Sequence, residues 1–269
     1  MSTDIEWVKW GQQDPYFAVI TDERFRSANL TDDAKKVFFE SGRRHVNYVL
    51  SACQRLILPT FSPGRALDFG CGVGRIALPL AEKVNSVVAV DVSPDMLAEA
   101  RRNCDAQGLT NVELLPSDDT LSAVTGSFDL VHSCITFQHI DVPRGRRLFA
   151  RLIELLADDG IGAIQITYAK AYHPDSFGQP PAPAPAPATV KIEAKAPGLF
   201  SAALGKRRAP EPVADPEMLM NPYNLSELAF MLQTAGVKSF STEFTDHGGE
   251  LGVFLFFRKP AQAVASCTT

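Results

Sequence analysis

Hydrophobic and polar positions change period along the chain. From residue 65 onward, short apolar runs with strand character, "RALDFG", "SVVAVDV", "VELLPS", "FDLVHSCI" and "GAIQITY", alternate with helical patterns over 74–84, 94–107 and 144–157. Such alternation predicts βαβ units and a parallel sheet. Ser93-Pro94 reads as a helix start, with a capping hydroxyl followed by proline at the first position, and "ADDG" reads as the turn into the fifth strand. Pro79 lies inside the 74–84 pattern and implies that this helix begins late or kinks. Upstream, residues 1–30 carry both tryptophans without a sustained period and read as an irregular aromatic arm. A helical pattern begins at Thr31, with Asp32 and Asp33 in its first turn, and Gly42 is expected to split it into two helices ending near Ile57. Downstream, Asn224 and Gly236 bracket a further helix, and "SFSTEFT" and "LGVFLFF" flank "DHGGE" as a hairpin. The expected fold is α/β: a doubly wound, mostly parallel seven-stranded sheet ending in an antiparallel hairpin, with a helical N-terminal cap.

Composition refines this outline. Residues 178–216, containing "QPPAPAPAPAT" and "KRRAPEPVADP", have a proline and alanine content unsuited to burying a core, and read as a disordered insertion within a domain spanning 61–269. Residues 1–60 form the arm and cap. The net charge of −5 gives no general attraction to nucleic acid, and no apolar run is long enough to span a bilayer. Without a leader-like N-terminus the chain reads as cytoplasmic. Five widely spaced cysteines, none in a Cys-x-x-Cys pair, suggest neither a disulfide framework nor a zinc site, and no metal is expected.

"ALDFGCGVGRIALPL" places Gly70, Gly72 and Gly74 directly after the first strand, with Asp68 ahead of them. In a strand-loop-helix unit this loop lies at the carboxyl edge of the sheet, where glycines let backbone amides approach a ligand. Arg75 stands where a dinucleotide fingerprint would place its third glycine, which weighs against a nicotinamide cofactor. Asp91, seventeen residues after Gly74, sits where a carboxylate would accept hydrogen bonds from ribose hydroxyls. A nucleoside ligand is the expectation.

"LDFGCGVGR", "VDVSPDML" and "FDLVHSCITFQHI" together resemble the class I S-adenosylmethionine-dependent methyltransferases. The resemblance implies a Rossmann-like fold and S-adenosylmethionine as cofactor. Gly70, Cys71 and Gly72 would then meet its methionine and ribose, Asp68 its amino group, Asp91 the ribose and Met96 the adenine. Gly74, Arg75 and Val92 would complete this wall. One of Ser117, Asp118 and Asp119 would approach the adenine amino group, and Ser133 and Cys134 would line the way to the substrate together with Phe137 and Gln138.

An oxygen nucleophile needs a proton acceptor, and His139, in the loop after the fourth strand, is the first candidate, with His247 and His173 as alternatives. His45 and His132 read as structural. Tyr16 and Phe17 are candidate substrate contacts, as is Arg144, whose place at a helix start would suit an anionic substrate group. The expected partner is a small-molecule methyl acceptor, with an oxygen of a sugar or other natural product favoured. Methylation of nitrogen, sulfur or protein, and a silent nucleoside-binding module, are the alternatives.

Overall fold

The computed structural model describes residues 3–170 and 214–261. His173 and residues 178–213 of the expected insertion lie outside the described residues.

The strands are β1 (Arg65–Phe69), β2 (Ser86–Asp91), β3 (Val112–Pro116), β4 (Phe128–Ser133), β5 (Leu156–Lys170), β6 (Phe240–His247) and β7 (Glu250–Arg258). They form one sheet in the order β3-β2-β1-β4-β5-β7-β6. The pairs among β1 to β5 are parallel, while β7 runs antiparallel to both β5 and β6. β1 and β2 are buried on both faces, which is why their sequences are continuous apolar runs rather than alternating ones. Strand order reverses between β1 and β4, so a crevice opens at their carboxyl ends.

Among the described residues seven α-helices flank the sheet: α1 (Thr3–Gln13), α2 (Pro15–Val19), α3 (Asp32–Leu56), α4 (Ala77–Ala81), α5 (Pro94–Ala106), α6 (Val142–Glu154) and α7 (Leu225–Thr234). Local chemistry sets several starts: the side chains of Thr31, Ser93 and Asp141 accept from the backbone N–H of Ala34, Met96 and Arg144 respectively. Asp141 thereby moves the start of α6 two residues ahead of the expected one. α4 does begin late, and Pro79 falls in its first turn, where no helical N–H is lost.

Three expectations need correction. The N-terminal arm is helical: Tyr16 and Phe25 pack on Phe38 of α3, while Trp10 packs on Phe17 and α1 lies against α5, so tertiary packing orders helices that show no sustained period. Gly42 does not split α3; a Cβ there would meet the Arg75 carbonyl oxygen, so this glycine lets α3 close against the loop after β1. "ADDG" is not a turn outside the sheet but part of β5, where Asp159 takes a positive φ of 64° and the β4–β5 register shifts between Phe128 and Leu130.

The two faces of the sheet carry separate cores. The cap residues Trp10, Tyr16 and Phe38 share one with Ala66, Val87 and Phe256, and α6 and α7 contribute Leu148, Phe149 and Leu228 to the other beside Leu67 and Val131. Among the described residues no helix is long and apolar enough to cross a membrane.

Candidate active site

A cavity of about 110 Å³ lies at the carboxyl ends of β1, β2 and β4 and is walled on its outer side by α1 and the end of α2. Gly70, Cys71 and Gly72 form its floor, the two glycines with φ of 77° and 52°. A Cβ on Gly70 would strike Thr136 and one on Gly72 would strike Val19, so the loop is cut close to its surroundings for steric as well as conformational reasons.

Asp91 closes β2 at one end of the cavity. Its Oδ2 accepts from the Gly72 N–H and its Oδ1 from the Ser93 N–H, each at 2.9 Å. Both oxygens are thereby fixed, and each keeps acceptor capacity toward the cavity. Burial lifts the carboxyl to about 6, against the pull of those two amides. Val92, Met96 and Ser117 continue the wall on this side.

Asp68 stands at the other end, only 2% exposed. Its Oδ1 lies 2.8 Å from His132 Nδ1, while its Oδ2 is buried without a hydrogen-bond partner. Burying such an oxygen is costly unless a ligand donor meets it. An ammonium group supplies that donor, so Asp68 and Asp91 fit the two polar ends of an aminoacyl-nucleoside of the S-adenosylmethionine kind.

Across from the glycines, the loop after β4 carries Cys134, Ile135, Thr136 and His139 into the cavity. Buried Gln165 on β5 accepts the Ile135 N–H at 3.1 Å, where Ile135 has a φ of 58°. His139 Nδ1 lies 2.9 Å from the Leu219 carbonyl oxygen and so donates to it, which leaves Nε2 as an acceptor 3.3 Å from Gln138 Nε2. Burial draws the imidazole down to about 4, with the Leu219 carbonyl pulling the other way. Burial also pushes the Cys134 thiol up to about 11, so neither Cys134 nor the fully enclosed Cys71 is an activated nucleophile. Trp7 of α1 packs edge-on against His139, with ring centroids 4.8 Å apart.

Several expected site residues lie elsewhere. Tyr16 is buried, and its hydroxyl lies 2.6 Å from the Glu99 carboxylate, to which it donates, and 2.9 Å from the Asn103 side-chain amide, tying α2 to α5. Phe17 lies under the Arg26 guanidinium, 3.4 Å from its ring centroid. Phe137 fills the core between Phe69, Phe149 and Tyr223. Gln138 accepts the Thr167 hydroxyl at 2.6 Å behind the wall, and the Ser133 hydroxyl donates to the Phe69 carbonyl. Gly74 packs on Leu78, and His247 ends β6 opposite Glu250. Asp118 folds its own turn, accepting from the Thr120 and Ser122 amides, so Ser117 is the member of its trio on the cavity wall.

Arg144 does reach the cavity, but Asp4 at 2.5 Å and Asp119 at 2.6 Å neutralise it. Those carboxylates, rather than a substrate anion, offset a cation at a helix start. Sequence patterning passes over Trp7 and Val19 and reads His132 as structural, yet all three line the cavity. Only for His132, set in the β4 run two residues before Cys134, was a positional signal present.

The fold and this site define an open α/β protein with a nucleoside-type crevice at its topological switch point. Residues 66–160 match a family described as "Methyltransferase domain". Over this stretch, about a third of its length, the chain is similar to class I S-adenosylmethionine-dependent methyltransferases. It is 37% identical over 100 residues to aklanonic acid methyltransferase DauC of Streptomyces sp. (strain C5), covering 36% of this chain and 44% of that one. It is 38% identical over 108 residues to malonyl-[acyl-carrier protein] O-methyltransferase of Geobacter sulfurreducens, covering 39% of each. The chain thus spans less than half the length of these curated relatives. Magnesium protoporphyrin IX methyltransferase from Synechocystis PCC 6803 with bound SAH shares the fold at a TM-score of 0.59 and 16% identity, over 96% of this chain and 99% of that one.

Proposed function

We propose that this protein transfers a methyl group from S-adenosylmethionine to a small-molecule acceptor, with an oxygen nucleophile favoured. The observation that carries the reading is the pair of carboxylates facing one cavity. Asp91 has both oxygens aligned by backbone amides for a ribose, and Asp68 has a buried oxygen awaiting a cationic donor. When bound, the cofactor supplies an electrophilic methyl on a sulfonium. The chain's own residues then have to align the acceptor with that methyl and keep water out.

Gly70, Cys71 and Gly72 bring backbone close to the methionine side, and Arg75 lies beside them on the wall. Met96 and Ser117 would flank the base. Trp7, Val19 and Ile140 offer an apolar wall toward the acceptor. His139 would take a proton at Nε2, and its low proton affinity suits an acceptor whose proton is already acidic. Two of the relatives support this choice by name, an aklanonic acid methyltransferase for a small acceptor and an O-methyltransferase of a carrier-bound malonyl group for oxygen.

Calorimetric titration with S-adenosylmethionine and with NAD tests the first half. The expected result is micromolar binding of the former alone, about −8 kcal/mol, weakened in Asp91→Ala. Failure of both S-adenosylmethionine and its demethylated product to bind would sink the reading. A panel of hydroxylated and carboxylated metabolites then tests the acceptor. His139→Ala should lower kcat for oxygen acceptors, whereas unchanged turnover would favour nitrogen or sulfur.

A further inference from the structure

A row of three polar side chains runs from the cavity to the N-terminal cap. His132 on β4 is 1% exposed, and its Nδ1 lies 2.8 Å from Asp68 Oδ1. Its Nε2 lies 2.9 Å from Nε2 of His45 on α3. An ionised carboxylate only accepts, so His132 must donate from Nδ1. The neutral ring then accepts at Nε2, and His45 must donate from its own Nε2. Burial holds His45 neutral, drawing it down to about 2, with the Arg75 guanidinium acting in the same direction. Phe254 of β7 lies against both imidazoles and Tyr48 beside His45, which fixes the ring planes.

We infer that His132, itself held by His45, is the positioning residue for Asp68, occupying Oδ1 so that Oδ2 faces the cavity and binds the cofactor's ammonium. The inference rests on the cofactor reading above. The row is directional: His45 donates to His132, which donates to Asp68. With both imidazoles neutral, Asp68 keeps its full charge for the incoming cation. Without the Nδ1–H, Asp68 would be a buried carboxylate with no donor on either oxygen, free to turn away from the cavity. The relay also assigns a role to the cap, because α3 supplies its outer end and therefore contributes to the grip on a ligand it does not touch. Around the relay stand Arg75 in the loop before α4, Cys134 after β4, Tyr48 on α3 and His247 on β6. Of these, Tyr48 is engaged with Glu243 at 2.5 Å.

The test uses binding of S-adenosylhomocysteine between pH 6.5 and 8.5, with melting temperature as the control for folding. His132→Leu should weaken binding by about tenfold at pH 8.5, roughly the worth of one charge-assisted hydrogen bond. His132→Asn places an amide N–H where Nδ1 stands and should restore affinity to within about threefold, with the wild-type pH profile. His45→Gln should keep, and His45→Leu partly lose, the same affinity. Equal losses in the Leu and Asn variants, or wild-type binding by His132→Leu, would overturn the inference while leaving the cofactor reading intact. Absence of binding by the wild-type protein would instead overturn that reading, and the inference with it. Nitrogen-15 NMR of the ligand-free protein gives an independent readout: His132 should be the neutral Nδ1–H tautomer. An imidazolium, which would cancel the charge of Asp68, is incompatible with the assigned role.

Discussion

Asp91 and Asp68 show how one residue type meets two different environments at one sheet edge. Asp91 is held by two backbone amides and lifted by burial to about 6. Its ionised form is the better acceptor for ribose hydroxyls, so affinity for S-adenosylhomocysteine should fall as pH drops below about 6. Asp91→Asn should bind more weakly at neutral pH, by about 1–3 kcal/mol, and lose that acid limb. Calorimetry from pH 5 to 8 reads both effects, and an unchanged acid limb in Asp91→Asn would assign it to another group. The glycines, Asp68 and Asp91 were legible because a close backbone approach and a strand-end carboxylate leave marks at fixed spacing. His132 was not, since an alternating strand pattern gives the face of a side chain but not what meets it there.

At the scale of elements, the N-terminal helices divide their aromatics between scaffold and site. Tyr16 braces α2 on α5 through Glu99 and Asn103, whereas Trp7 on α1 faces the cavity beside His139. Tyr16→Phe should cost about 1–2 kcal/mol of stability, seen as a lower melting temperature, with acceptor KM unchanged. Trp7→Ala should do the reverse, raising acceptor KM severalfold with a smaller loss of stability. A KM effect confined to Tyr16→Phe would restore the "DPYF" stretch as the substrate wall. Helix α3 carries the same lesson, because Gly42 looked like a break and is instead the point of closest approach to the Arg75 carbonyl. Glycine in a helix weakens local propensity by about 1 kcal/mol, and a 25-residue helix packed on a sheet tolerates that.

For the molecule as a whole, acid stability follows from the buried histidines. His45 and His139 are drawn from 6.5 down to about 2 and about 4 by burial, so the unfolded chain binds more protons than the folded one below pH 6.5. Their contribution to stability is present above pH 6.5 and is lost as pH falls through the folded values. Asp91 acts in the opposite sense, since its raised value favours the folded state below about 4 and that benefit disappears as pH rises through about 6. Two histidines outweigh one carboxylate, so melting temperature should fall steadily between pH 6.5 and 4.5. His45→Gln should flatten part of that slope, and an unaltered slope would show that His45 is not buried neutral.

What the sequence by itself determined is the sheet, the glycine loop and the two aspartates at strand ends. Strand and helix periods, caps and close-approach glycines are local constraints, written within a few residues of where they act. Tertiary structure decided which aromatics face the cavity and that Asp4 and Asp119 neutralise Arg144. It also joined Asp68, His132 and His45, which are 64 and 87 positions apart along their two links. Such pairings depend on how strands and the cap stack in space, and no local period records them.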